Sequence, residues 1–484
     1  MSTSASTQEF RKLTDFQKNI YLDVVDEETG DKLDPETGKQ CKLTRTTPFY
    51  REYQLCAWYS MVPARMPGVE DGDDIVYVPN NTFHFLTFSD LRSFFPPLRV
   101  KASHKDKVQI CWTHNIGTGV IDRAELRMND KVFHSFDHVW CDDFFQFNMK
   151  PGFRRSHFLA VGSIKQLEEW STHLPAYTTN VQLPWWYSDD PALALPLHYC
   201  CHPSNIKVEH RFRFKRRISE LLRMRIYKNG AWVEIKPNFA YLEGARAETK
   251  IPTPELWGRY CYIHSNELEW HAKEGNLSFY VKNVLSADSP NPYDYNSCAD
   301  IELRCDNPCL AIFWQAENYE SSKNRILSNY TTNTGDLYSG YDPVLSTSMS
   351  YNGVPRLQDM PSDHFSIAEP RKFFLSPPCE TGYHAYAFGV QPFGFDPDVG
   401  VVLSVHKAVL SVKIADTDIY KIAPQTEDSI EDVDVFEEGV SVLSQAPNTP
   451  AIVTPKFIPR VRLLVLRKYT ITFNDKGLAS FDII

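Results

Sequence analysis

The stretch NIKVEHRFRFK, residues 205–215, constrains the fold of this chain more than any other. Ile206, Val208, His210, Phe212 and Phe214 fall on one face; Lys207, Glu209, Arg211, Arg213 and Lys215 fall on the other. Strict alternation over that length has the period of a β-strand, and it predicts a half-buried antiparallel strand. It also accounts for a basic run. Residues 211–228 contain eight Lys or Arg, and half of these are the wet side of this strand and its exit. The net charge of −10 argues further against a nucleic-acid coat, which needs a basic surface to neutralise phosphate.

The same period recurs along the chain. Strands are predicted at DIVYV (74–78), KVQICWT (107–113), RAELRMND (123–130), KVFHSF (131–136), AWVEIKPNFAYLE (231–243) and NLSFYVKNV (276–284). Further ones follow at DIELRCD (300–306), CLAIFWQAE (309–317), VVLSVHKAVLSVKI (401–414) and RVRLLVLRKYTITF (460–473). MNDK (128–131) and NDKG (474–477) have turn chemistry between strands. Aromatics at 13 % and 32 Pro against 21 Gly favour strands joined by stiff loops. One helical connector is expected at RRISELLRMRIY (216–227), where Ile218, Leu221, Leu222 and Ile226 recur at helical spacing. The chain therefore reads as all-β, with two β domains of similar size. Residues 1–45 form an extension or arm, 46–218 the first domain and 219–484 the second. Residues 318–380 read as a long polar loop region, and the acidic run EDSIEDVDVFEE (427–438) as a solvated loop.

Signals for catalysis fail one by one. There is no GxSxG, HExxH or GxxxxGK[ST], and HNIGTGV (114–120) lacks the lysine of a phosphate loop. HSFDHVWCDD (134–143) offers His134, Asp137, His138, Asp142 and Asp143, but without the spacing of an iron-binding His-x-Asp dyad. Eleven cysteines without a CxxC pair read as reduced thiols, and neither a signal peptide nor a span of about 18 apolar residues is present. No cofactor, metal or catalytic residue is expected. Sequons at Asn80, Asn276 and Asn329 are formal glycosylation acceptors. LPWWYSDDPALALPL (183–197) sets Trp185 and Trp186 beside Asp189 and Asp190, as a sugar-stacking cleft would. Adjacent carboxylates in extended chain point to opposite faces, so they do not flank one bond together. Pro184, Pro191 and Pro196 each fix a backbone angle, which predicts a stiff bracket carrying Trp185 and Trp186 toward opposite sides.

That bracket, followed by the alternating strand, resembles a segment of the double jelly-roll major capsid proteins of nucleocytoplasmic large DNA viruses. VQICWTHNIGTGVIDRAELRMNDKVFHSFD (108–137), ELRCDNPCLAIFWQAEN (302–318), AYAFGVQPFGFDPDVGVVLSVHKAVLSVKI (385–414) and LRKYTITFNDKGLASF (466–481) are similar to further family segments, in the family's order. Two departures stand out. VLSVHKAV (402–409) replaces the family's Ser-Arg-Ile-Asp core, and the segment after Phe136 lacks a helix-like run. The resemblance implies two eight-stranded jelly rolls in tandem, building homotrimeric, pseudohexagonal capsomers of an icosahedral shell. It implies as partners neighbouring capsomers, minor capsid or cement proteins and penton proteins. The arm would lie at the base near the inner viral membrane, the 318–380 region outward, and assembly in host cytoplasm or a viral factory. A minor double jelly-roll component, or a β-sandwich carbohydrate-binding protein or enzyme, stand as alternatives.

Overall fold

The alternating segment forms the strand Val208–Phe214, antiparallel to Ile121–Met128 on one side and Asp74–Tyr77 on the other. His210 and Phe212 are wholly buried, while on the wet face Arg213 Nε donates to Asp74 at 3.0 Å and Arg211 lies 2.8 Å from Asp71. The computed structural model describes residues 60–415, 425–426, 452–453, 456–473 and 479–483, apart from 130, 189–192, 199–205, 229, 245, 247–248, 263–275, 324, 336, 390 and 395–399. The arm at 1–45, the acidic run at 427–438 and the turn at 474–477 lie outside the described residues.

In the N-terminal half, a five-stranded sheet runs in the order Gly68–Asp71, Asp74–Tyr77, Val208–Phe214, Ile121–Met128, Lys131–Phe136. A four-stranded sheet, Ser60–Met66, Glu255–Tyr262, Phe85–Phe95, Tyr177–Gln182, shares one core with it. A third sheet joins Ala231–Ile235, Leu222–Lys228 and Val108–Trp112. Strands beyond residue 218 thus pair with Phe85–Phe95 and Val108–Trp112, and the two sets of sheets change over between Tyr262 and Asn276 rather than at 218.

The C-terminal half repeats the plan. Asn276–Ser286, Phe457–Phe473, Cys309–Asn318 and His384–Ala387 form one sheet in that order, with Ala479–Ile483 added against Phe457–Phe473. Cys298–Leu303, Ala408–Ile414, Val344–Tyr351 and Val354–Pro361 form the other. Ile301, Leu410, Val412, Ile312 and Trp314 fill the core of this half.

Three expectations change. The helix predicted over 216–227 is a single turn, Ile218–Leu221, followed by the strand Leu222–Lys228. Leu222, Met224 and Ile226 also alternate, and pairing to Trp112, Ile110 and Val108 satisfies that period at the expense of the helical one. The region 318–380 holds the hairpin Val344–Tyr351/Val354–Pro361, turned by Asn352 and Gly353 at φ of 50° and 76°. An Asn-Gly pair with both residues at positive φ is a strong hairpin signal. Finally, a ten-residue helix, His138–Phe147, does follow Phe136.

Candidate functional site: the junction between the two halves

The helix His138–Phe147 builds the junction. Asp137 caps it in extended conformation, its carboxylate accepting from the Trp140 N–H at 3.0 Å. Trp140 and Phe147 each lie 5.4 Å, ring to ring, from Phe313 of the C-terminal half, and Phe374 and Phe393 complete the cluster. Every residue of Cys309–Asn318 is consequently buried. Ile312, Trp314 and Ala316 face the C-terminal core, whereas Leu310 and Phe313 belong to the core that begins in the N-terminal half. The strand Phe457–Phe473 divides likewise, Val461, Leu463 and Val465 to one core and Leu464 to the other.

Charged groups cross the same plane. Arg462, 1 % exposed, donates from Nη2 to Asp137 Oδ2 at 2.7 Å and from Nη1 to Asp288 and to the Val461 carbonyl. Burial opposes the guanidinium's charge, but the two carboxylates more than offset that and raise its pKa. Burial equally opposes ionisation of Asp137, yet Arg462 keeps that carboxyl below its ordinary range. Asp143 accepts from Gln315, and burial pushes its carboxyl well up. Asp142 accepts from Ser328 Oγ at 2.5 Å, and burial pushes it up to about 7.

At one end of the helix sits a chain of hydrogen bonds that crosses between the halves. His114 Nδ1 is 2.8 Å from Glu168, and its Nε2 is 3.2 Å from Glu380. Glu168 accepts from the Tyr338 hydroxyl at 2.7 Å, and Glu380 accepts from Gln146 Nε2 at 3.0 Å. Burial disfavours the imidazolium, but two flanking carboxylates more than offset it, so His114 titrates well above a free histidine. Glycines of HNIGTGV serve packing: a Cβ on Gly117 would stand 2.8 Å from the Val161 carbonyl oxygen.

The bracket does not run extended. Trp186–Ser188 is a 3₁₀ turn, and the indoles of Trp185 and Trp186 both contact His134, at 5.5 and 5.9 Å, instead of pointing apart. Pro184 and Pro196 are buried with them; Pro191, Asp189 and Asp190 lie outside the described residues. The segment follows one strand, Leu183 donating to Ser89 and Leu195 exchanging bonds with Leu86. Sequence reasoning missed Tyr187, whose hydroxyl lies 2.7 Å from Ser89 Oγ and 2.8 Å from His210 Nε2. Ser89 and His210 belong to different sheets, so this one hydroxyl ties the sandwich together.

The remaining candidates scatter. His134 is buried among aromatics without a hydrogen-bond partner among the described residues, and burial lowers it to about 3, which keeps it neutral. Asp142 and Asp143 of the helix hydrogen-bond to Ser328 and Gln315, and among the described residues no three His, Cys, Asp or Glu side chains are placed to hold a metal ion. Ser362, His384 and Asp342 meet, but Ser362 Oγ (2.8 Å) and Asp342 Oδ2 (2.9 Å) both address His384 Nε2, while Nδ1 faces the Trp314 carbonyl. A serine nucleophile needs its own nitrogen and the carboxylate the other, so this cluster lacks the relay geometry. Asn80 Oδ1 accepts from Thr82 in a turn, and the Asn329 amide is buried, donating to Ser321 and Asn333. Asn276 opens the strand Asn276–Ser286.

Residues 277–443 match the family model described as large eukaryotic DNA virus major capsid protein. The chain is 25 % identical over 404 residues to the major capsid protein of Costelytra zealandica iridescent virus, covering 78 % of this chain and 84 % of that protein. It is 25 % identical over 373 residues to that of Frog virus 3, covering 71 % and 77 %. Among solved structures, PBCV-1 VP54 superposes over 87 % of this chain and 96 % of its own, with a TM-score of 0.62 at 13 % identity. The Faustovirus major capsid protein does so over 85 % and 90 %, at 0.59 and 7 %. Those likenesses establish the fold, a double jelly roll.

Proposed function

We infer that this chain is a major capsid protein of a large icosahedral DNA virus, and that its work is assembly. One observation carries the reading: a double jelly roll extends over most of the chain, and the curated relatives matched across both halves are themselves major capsid proteins. The physics of the fold supports it. Two sandwiches in one chain become six around a threefold axis, and a six-cornered block tiles a large shell. A junction with a core on each side of the sheet Asn276–Ser286 to His384–Ala387 would hold the two sandwiches at one fixed angle.

In this reading the partners are two further copies in a trimer, neighbouring capsomers, and minor, cement and penton proteins. Each pair of subunits would bury more than roughly 2,000 Å², as obligate oligomers do. The region 318–380 faces outward, the arm at 1–45 lies near an inner membrane, and assembly takes place in host cytoplasm or a viral factory. The test is solution mass combined with negative-stain images. A particle of about three times 55.8 kDa with a pseudohexagonal outline is expected. A monodisperse monomer that stays monomeric with its virion partners present would overturn the reading.

A further inference from the structure

A cavity of about 660 Å³ opens beside the junction, its wall drawn from the third sheet, the turn at Lys165–Glu168 and Gly335, Leu337 and Tyr338 of the other half. That volume lies within the roughly 300–1,000 Å³ of small-molecule sites, and domain junctions are a preferred place for them. Its wall holds a guanidinium whose hydrogen bonds go to a neutral side chain. The Arg225 guanidinium lies 4.7 Å from the Trp170 ring centre and 4.8 Å from that of Trp232. Its Nε and Nη2 donate to Gln109 Oε1 at 2.8 and 2.5 Å, a neutral acceptor. No Asp or Glu among the described residues forms an ion pair with it.

Arg223, the next residue on that face, shows the contrast. It pairs with both oxygens of Glu234 at 2.8 and 3.1 Å and donates to the Gly335 carbonyl. Arg225 is therefore a half-buried charge beside a second guanidinium, with no partner for Nη1 among the described residues and two indoles fixing its plane. A guanidinium held rigid by stacking presents its remaining N–H groups to an oxyanion at little further loss of freedom. The carboxylates nearby are committed: Glu168 to His114 and Tyr338, Glu169 to Lys165 at 3.1 Å.

We propose that this cavity binds a small molecule bearing an oxyanion, carboxylate or phosphate, with Arg225 as its anchor. Gly335 and Tyr338 belong to the C-terminal half, so an occupant would touch both sandwiches.

Calorimetric titration of the full-length assembled protein tests this with three probes at millimolar concentration: inorganic phosphate, glucuronate and the neutral sugar glucose. Saturable binding of phosphate, of glucuronate or of both is expected, and glucose should not bind. Phosphate alone would identify a phosphate site, and glucuronate alone a carboxylated sugar. Arg225→Gln should weaken binding at least about tenfold, the loss of one charge-assisted bond, in a variant that still folds and assembles. Arg225→Lys, which keeps charge and loses the stacked plane, should fall between the two. Silence of all three probes, equal binding of glucose, or wild-type affinity in a folded Arg225→Gln variant would overturn the proposal.

Discussion

Replacing Arg462 with methionine should destabilise the junction through lost charge pairing and not through lost packing. The side chain is buried, and methionine fills comparable volume, so the loss is electrostatic and not a cavity. Removing one partner of a buried ion pair costs about 3–5 kcal/mol, chiefly because the other partner is left uncompensated. Here both carboxylates retain something. Asp137 keeps the Trp140 N–H at 3.0 Å, and Asp288 keeps Arg460 at 3.3 Å and the Val461 N–H at 3.0 Å. The expected loss is therefore about 3 kcal/mol, the lower end of that range. Denaturant unfolding at fixed protein concentration measures it as a fall in midpoint at unchanged slope. The same substitution in an Asp137→Asn, Asp288→Asn background should cost less than about 1 kcal/mol, because no carboxylate remains to be orphaned. A loss below about 1 kcal/mol in the single variant, or an undiminished loss in the charge-free background, would refute the reasoning.

Other expectations concern titration and packing. The raised pKa of His114 means its bridge stabilises fully below the ordinary histidine value near 6.5 and is lost as pH rises through the higher folded value. His114→Gln should therefore flatten the alkaline side of a melting-temperature profile; an unchanged slope would count against the bridge. Asp142 has the opposite consequence: with its carboxyl raised from 3.8 to about 7, stability falls as pH climbs between those values and then levels. Asp142→Asn should remove that slope and be neutral or stabilising at pH 8, by at most roughly 4 kcal/mol; destabilisation there would show that the ionised form is needed. Trp185→Ala should cost about 3–5 kcal/mol and Trp186→Ala a comparable amount, since both rings are buried. Wild-type denaturation midpoints in both variants would show that the bracket is dispensable.

Much of this fold is written in local periodicity. Val208–Phe214 and Cys298–Leu303 alternate because one face of each is wet, and CLAIFW reads as a continuous apolar run because both faces of its strand are covered. The helix His138–Phe147 was hidden because Asp142 and Asp143 break its apolar stripe. Their partners Ser328 and Gln315 lie 186 and 172 residues away, so no window of sequence shows that these aspartates point inward. His114 is no different. Its two glutamates are 54 and 266 residues distant, and only the packing of one half on the other brings the second of them, Glu380, to the ring. The connector at 216–227 satisfied two periods at once, and a pairing partner far along the chain decided between them.

The doubly covered strand Cys309–Asn318 has a mechanical consequence. A sheet with packed side chains on both sides is a partition shared by two rooms, and neither room can shift without deforming it. A chain built this way has no internal hinge at that wall. Any curvature in a lattice made from it must be taken up at the seams between molecules, where contacts are replaceable, and not inside the block itself.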